Sequence, residues 1–198
     1  FDVAAAGDVN NDGWADLLVS TTSLGLSGLG SHIGATYLIF GTGNLSGTID
    51  LADIADGVLN SEDSLQGIRI VGEAFTNLAG SAIAGAGDVN ADGFDDILIG
   101  AAGAERAYVL FGSATLGAVP TVSLSNLAIE GRGFEIEPAV SGSGLGVSVA
   151  AAGDMNGDGI DDIVVGTPTH AGAPNQGAAY VIYGTNASGY VTEDGALV

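Results

Sequence analysis

The chain has 198 residues, 24 acidic side chains and three basic ones, for a net charge of −21. Its 46% apolar content and mean hydropathy of +0.41 exclude an acidic disordered tail. Three arginines cannot supply a phosphate-tracking stripe, and an anionic membrane surface would repel the chain. Without cysteine there is no disulfide framework and no thiolate metal site. No apolar run approaches the roughly 18–20 residues of a transmembrane span.

Taken in chain order, the predicted elements are short strands that recur. Residues 3–6 and 17–19 are apolar runs bounded by Gly and Asp, which reads as a β-hairpin. Residues 34–41 form a third strand containing Tyr37. Residues 51–56 place Leu51 and Ile54 on one side of a short helical turn. Residues 67–72 are a fourth strand. The order then repeats: a hairpin over 83–99, a third strand over 106–112 with Tyr108, and a fourth at 133–136. A last hairpin covers 149–165, followed by a third strand at 177–184 with Tyr180. Four short antiparallel strands per repeat is the grammar of a β-propeller blade, so the expected fold is all-β with about three blades.

Each hairpin turn carries the same motif, D-x-N-x-D-G-x-x-D. It reads Asp8, Asn10, Asp12, Gly13 and Asp16 in the first copy. The second has Asp88, Asn90, Asp92, Gly93 and Asp96, and the third Asp154, Asn156, Asp158, Gly159 and Asp162. Calcium takes about six to eight oxygen ligands at about 2.3–2.6 Å. Oxygens at positions 1, 3 and 5 converge on one point if the chain curls, and a glycine at position 6 permits a sharp turn. Position 7 can contribute a backbone carbonyl, which leaves its side chain free to be apolar, as Trp14, Phe94 and Ile160 are. Position 9 closes the shell. Asp, Asn and Gly favour turns without any metal, but three copies with identical ligand types argue for three calcium sites. An EF-hand loop requires a bidentate Glu at position 12, where this chain has Val19, Ile99 and Val165. The ions fit a structural role, because the loop fills the shell and catalysis needs an open position.

These loops, the Gly-Ser approaches at Gly80 and Gly146, and the exits at Gly100 and Gly166 resemble the FG-GAP repeat family. That family comprises the repeats of integrin α-chain propellers and of many bacterial surface proteins. The Gly-Ala-Pro signature is not intact in any copy. The resemblance implies a β-propeller, usually seven-bladed, with calcium held in a hairpin turn of each blade by the motif positions named above. It carries over no ligand-binding residue.

Approximate repeats of 1–66, 67–133 and 134–198 form a single segment. Three blades do not easily close a ring, so the segment is expected to be part of a larger propeller or to be completed by association of copies. The spacing from one loop to the next is 80 and then 66 residues, and the variation falls between the second and third strands. Residues 21–33 and 168–176, on the face opposite the calcium turns, are therefore the expected partner-contacting loops. His32 and His170 read as surface polar residues, Trp14 as a packing residue, and the three tyrosines as filling between sheets. Asp95 and Asp161, at loop position 8, read as solvated or supporting; Ala15 stands there in the first copy. Asn44 and Asn186 begin glycosylation sequons, and each arginine is expected to neutralise nearby acid. There is no nucleophile elbow, no zinc-helix motif and no phosphate loop, so no enzyme is expected. The functional expectation is a calcium-binding extracellular or cell-surface segment in adhesion or matrix assembly, with protein, glycan or self-association partners and no nucleic acid. A lectin-like propeller and the propeller of a polysaccharide-active enzyme are the alternatives.

Overall fold

A computed structural model describes residues 1–23, 32–43, 47–55, 67–74, 76–138, 141–169 and 176–186. The first sheet is built in order from β1 (Asp2–Gly7), β2 (Asp16–Thr21), β3 (Ala35–Ile39) and β4 (Gly67–Val71), all antiparallel neighbours. The second repeats that order with β5 (Ala79–Gly87), β6 (Asp96–Ala101), β7 (Arg106–Leu110) and β9 (Gly133–Ile136). The third contains β10 (Ser148–Gly153), β11 (Asp162–Thr167) and β12 (Ala178–Ile182). The expected all-β architecture of antiparallel blades is what the chain adopts. Any fourth strand of the third blade would fall beyond residue 186, outside the described residues.

The hairpins share one register: Val3 faces Val19, Ile83 faces Ile99, and Val149 faces Val165. Each slips at the same place, between Ala5 and Gly7, Gly85 and Gly87, and Ala151 and Gly153. The glycine at the slip has φ of +85°, +74° and +63° in the three copies. A left-handed glycine is how a strand accommodates one extra residue and turns its end outward, which aims each loop off the sheet edge.

The sheets stack face to face in chain order. Strand alternation lets a middle sheet present one set of side chains backward and the other forward. Leu18, Leu38 and Ile70 of the first blade pack with Ile83, Ile97, Ile99 and Tyr108 of the second. Leu98, Val109 and Phe134 point the other way, onto Ile163, Val165 and Ile182 of the third. Every residue of β6 is consequently buried. Tyr108 fills the first interface as expected, and Tyr180 lies against the second. Tyr37 instead packs with Ile39 and Ile54 on the far side of the first sheet.

Two connections add structure. The helical turn expected near residue 51 is α1 (Leu51–Ala55), where the Asp50 carboxylate accepts the Ala52 amide at 2.9 Å and Ile54 is buried. The link from β7 to β9 forms β8 (Thr121–Ser123), which pairs in parallel with β4 of the preceding blade. No strand is predicted there from the sequence. The three residues of β8 are short for a recognisable pattern, and β4's exposed edge supplies the hydrogen-bonding partner. Arg69 on β4 reaches Thr121 there at 3.4 Å, and no acid pairs with it among the described residues, contrary to expectation. Among the described residues no helix is long and apolar enough to cross a membrane.

Candidate metal-binding loops

In the first loop the chain curls around its own side chains. The Asp12 amide donates to Asp8 Oδ1 at 3.0 Å and to Asn10 Oδ1 at 3.1 Å. The Gly13 amide donates to Asp8 Oδ2 at 2.9 Å, and the Trp14 amide to Asp12 Oδ1 at 2.9 Å. Asn10 Nδ2 donates to Asp12 Oδ2 at 2.9 Å. The second loop reproduces the set through Asp88, Asn90, Asp92, Gly93 and Phe94, at 2.8–3.0 Å. So does the third, through Asp154, Asn156, Asp158, Gly159 and Ile160, at 2.8–3.0 Å. Positions 1, 3 and 5 thus turn inward in all three, and the position-6 glycines have φ of +88° to +90°.

Position 4 makes a second left-handed turn that the motif does not advertise. Asn11, Ala91 and Gly157 have φ of +55°, +58° and +79°. Asparagine and glycine tolerate that conformation readily; alanine does so at a cost. The mixture of residue types at this position is why the sequence alone did not reveal the constraint.

Position 9 has more to do than close a shell. Asp16 Oδ2 accepts the Val9 amide at 2.9 Å, and Oδ1 accepts the Gly41 amide at 2.7 Å. Asp96 does the same with Val89 and Gly112, both at 2.9 Å, and Asp162 with Met155 and Gly184, at 2.8 and 2.9 Å. All three side chains are buried. Each therefore ties its loop to the end of the third strand. Burial pushes the Asp96 carboxyl up to about 8, against the two amides that favour its charged form, and the charges of Asp92 and Asp88 push it further. Asp16 is raised for the same reasons, with Asp12 and Asp8 adding to burial.

Among the described residues no three acidic or histidine side chains are gathered in ready metal-holding geometry. The donor set nevertheless suits a hard cation. Each loop offers carboxylate and amide oxygens at alternate positions, and each oxygen that accepts one amide retains a further lone pair. A divalent ion among these carboxylates would also reverse the upward push on Asp16 and Asp96.

Asp95 and Asp161, read from the sequence as solvated or supporting, are neither idle nor confined to their own loops. Asp95 Oδ2 accepts the amide of Asp8, in the preceding blade, at 2.7 Å. Asp161 Oδ2 accepts the amide of Asp88 at 3.1 Å. A Cβ on Gly7 or Gly87 would lie 2.2 or 2.1 Å from these carboxylates, so a glycine is needed before each capped aspartate.

The remaining residues sort simply. Trp14 lies over Gly43, where an added Cβ would come within 3.2 Å of the indole, yet it remains 52% exposed. His32 takes a left-handed φ of +67°, and its carbonyl accepts the Leu78 amide at 3.4 Å. Arg106 meets Glu135 at 2.8 Å, Glu137 at 2.6 Å and Glu73 of the first blade at 3.5 Å; Arg132 meets Glu130 at 3.4 Å. Those two arginines neutralise local acid as expected. His170, Asn44 with its sequon, the end of the Asn186 sequon, and most of the 21–33 and 168–176 loops lie outside the described residues.

The FG-GAP repeat model matches residues 79–110 and 145–182, which run from β5 through β7 and from β10 through β12 with both of their loops. Integrin alpha pat-2 of Caenorhabditis briggsae is 37% identical over 113 residues, 50% of this chain and 9% of that protein. Integrin alpha-7 of Mus musculus is 32% identical over 165 residues, 82% of this chain and 12% of that protein. Phosphatidylinositol-glycan-specific phospholipase D of Bos taurus is 32% identical over 181 residues, 85% of this chain and 18% of that protein. With its blade-type sheets, this chain carries FG-GAP repeats and is similar to integrin alpha chains over part of their length. It spans a small part of the length of each relative.

Proposed function

We propose that the chain is a calcium-stabilised segment of an extracellular or cell-surface FG-GAP propeller, serving adhesion or surface and matrix assembly. The carrying observation is that three loops curl alike around the oxygens of Asp8, Asn10 and Asp12, of Asp88, Asn90 and Asp92, and of Asp154, Asn156 and Asp158. Those residues, the carbonyls of Trp14, Phe94 and Ile160, and Asp16, Asp96 and Asp162 would hold three calcium ions. Calcium supplies no reaction here; it neutralises carboxylates that the fold crowds together. The segment is one unit of three successive repeats, the first running through β4 and the second through β9, within a larger propeller or completed by association of copies. The integrin alpha relatives support a protein partner, and we assign the contact to the loops at 21–33 and 168–176.

A ligand that binds only the folded state adds RT ln(1 + [L]/Kd), about 1.4 kcal/mol per site at a tenfold excess over Kd. Calorimetric melting of the segment in calcium chloride should show a higher Tm than in EGTA, and titration calorimetry should count three ions. A melt indifferent to EGTA would refute the reading. The likeness to a phospholipase D over 85% of the chain favours a second one, a module of a larger enzyme. Hydrolysis of a glycan or phosphodiester by the isolated segment would overturn the non-enzymatic assignment.

A further inference from the structure

Each described loop junction is made by two blades. Where blades one and two meet, the Asp8 amide donates to Asp95 Oδ2 at 2.7 Å and the Asp95 amide donates back to the Asp8 carbonyl at 3.4 Å. The Ser113 amide, just past β7, donates to the Val9 carbonyl at 2.9 Å, and Asn11 Nδ2 reaches the Gly93 carbonyl at 3.3 Å. Where blades two and three meet, Asp88 and Asp161 exchange the same pair of bonds at 3.1 and 3.3 Å, and Thr185 caps the Val89 carbonyl at 2.9 Å. The direction is constant: position 8 of a later loop grips position 1 of the earlier one. Position 1 is the residue whose carboxylate oxygens organise the earlier loop, accepting the amides at positions 5 and 6. The third loop lacks this grip among the described residues. No carboxylate accepts the Asp154 amide there, and nothing stands within 4 Å of where a Gly153 Cβ would be.

We infer that Asp95 and Asp161 are positioning residues that set the cation affinity of the neighbouring blade's loop, so that the affinity of the first loop depends on a carboxylate of the second and that of the second on a carboxylate of the third. The inference rests on the reading of the loops as calcium sites. An amide held by a carboxylate fixes the backbone at position 1, so the oxygens of Asp8 and Asp88 are prepaid in orientation before a cation arrives. The coupling acts through an acceptor atom, not through added negative charge. Asparagine at position 8 preserves it and alanine does not.

The protein carries its own reporter for the first loop. Trp14 is its one tryptophan and sits at position 7 of that loop, so terbium bound there is sensitised by excitation at the red edge of indole absorption. Terbium titration of the 198-residue chain, with calcium competition, gives the first loop's affinity, and titration calorimetry with calcium counts all sites. D95A should weaken the Trp14-reported site roughly fivefold to tenfold, the net scale of one typical intramolecular hydrogen bond. D95N should stay within about twofold of the unmodified chain, because its amide oxygen still accepts. D161A should leave the Trp14-reported site in place while weakening one other site. Equal losses in D95A and D95N would show that charge alone acts, and would overturn the inference. An unchanged first site in D95A, in a protein that still takes up three calcium ions, would overturn it while leaving the calcium reading intact. No calcium uptake by the unmodified chain would refute both.

Discussion

The second and third blades carry nearly the same sequence pattern but live in different surroundings. Leu98 and Val109 on the forward face of the second blade are fully buried by the third. Their counterparts Val164 and Val181 are only half-buried, and Ala150, opposite Val164, is exposed. On the backward face the contrast falls on the first blade: Val3 is 66% and Leu17 39% exposed, whereas the equivalent Ile83 and Ile97 are 6% and 1% exposed. A blade therefore does not bury its own sheet. Its neighbours do so, and the middle blade alone has one on each side among the described residues. This is the nearest-neighbour logic of stacked repeats, in which stability is a sum of units and interfaces.

The contrast can be broken at several points. The largest expected effect is at position 9. D96A removes a buried carboxylate and leaves the amides of Val89 and Gly112 without partners, at a cost of about 2–5 kcal/mol from two orphaned buried donors. Chemical denaturation in EGTA isolates this role from any metal. A loss below about 1 kcal/mol would show that position 9 does not tie loop to strand. Next comes packing. L98A should cost about 2–5 kcal/mol, and V164A about 1 kcal/mol or less, because a cavity term arises only where a neighbour encloses the site. Equal losses would mean that the third blade's forward face is covered in solution.

The smallest effect concerns pH at the Arg106 cluster. Burial pushes the Glu135 carboxyl up to about 7 despite its contact with Arg106, and Glu137 and Glu73 add to the push. A raised carboxyl pKa means the folded state holds the proton more tightly. The associated stability is fully present below the unfolded value of 4.5 and is lost as pH rises through about 7. Half-exposed groups are screened, so the span should be about 1 kcal/mol or less. E135Q should flatten the stability profile between those pH values, and an unchanged profile would contradict the assignment.

Much of the site was legible in the sequence because its chemistry is local. Positions 1, 3, 5 and 6 lie within one turn, so their spacing reports their geometry directly. The strands were legible because Gly and Asp bracket short β-branched runs. What escaped was whatever depends on a partner distant in sequence. Asp95 and Asp161 read only as solvated or supporting, because their acceptor role is satisfied 87 and 73 residues away. The strand β8 escaped because it completes another blade's edge, and Arg69 was misjudged because that edge supplies Thr121 in place of an acid.

The sequence by itself determined a repeated hairpin with a tight, carboxylate-lined D-x-N-x-D-G turn at its tip, because hydrogen bonding within a tight turn follows from residue order alone. Tertiary structure decided that one blade's loop is held by the next, which face of each sheet is buried, and where the scarce arginines find their partners. Those outcomes depend on which surfaces meet when sheets stack, and single-chain spacing does not encode contacts that arise only between repeats.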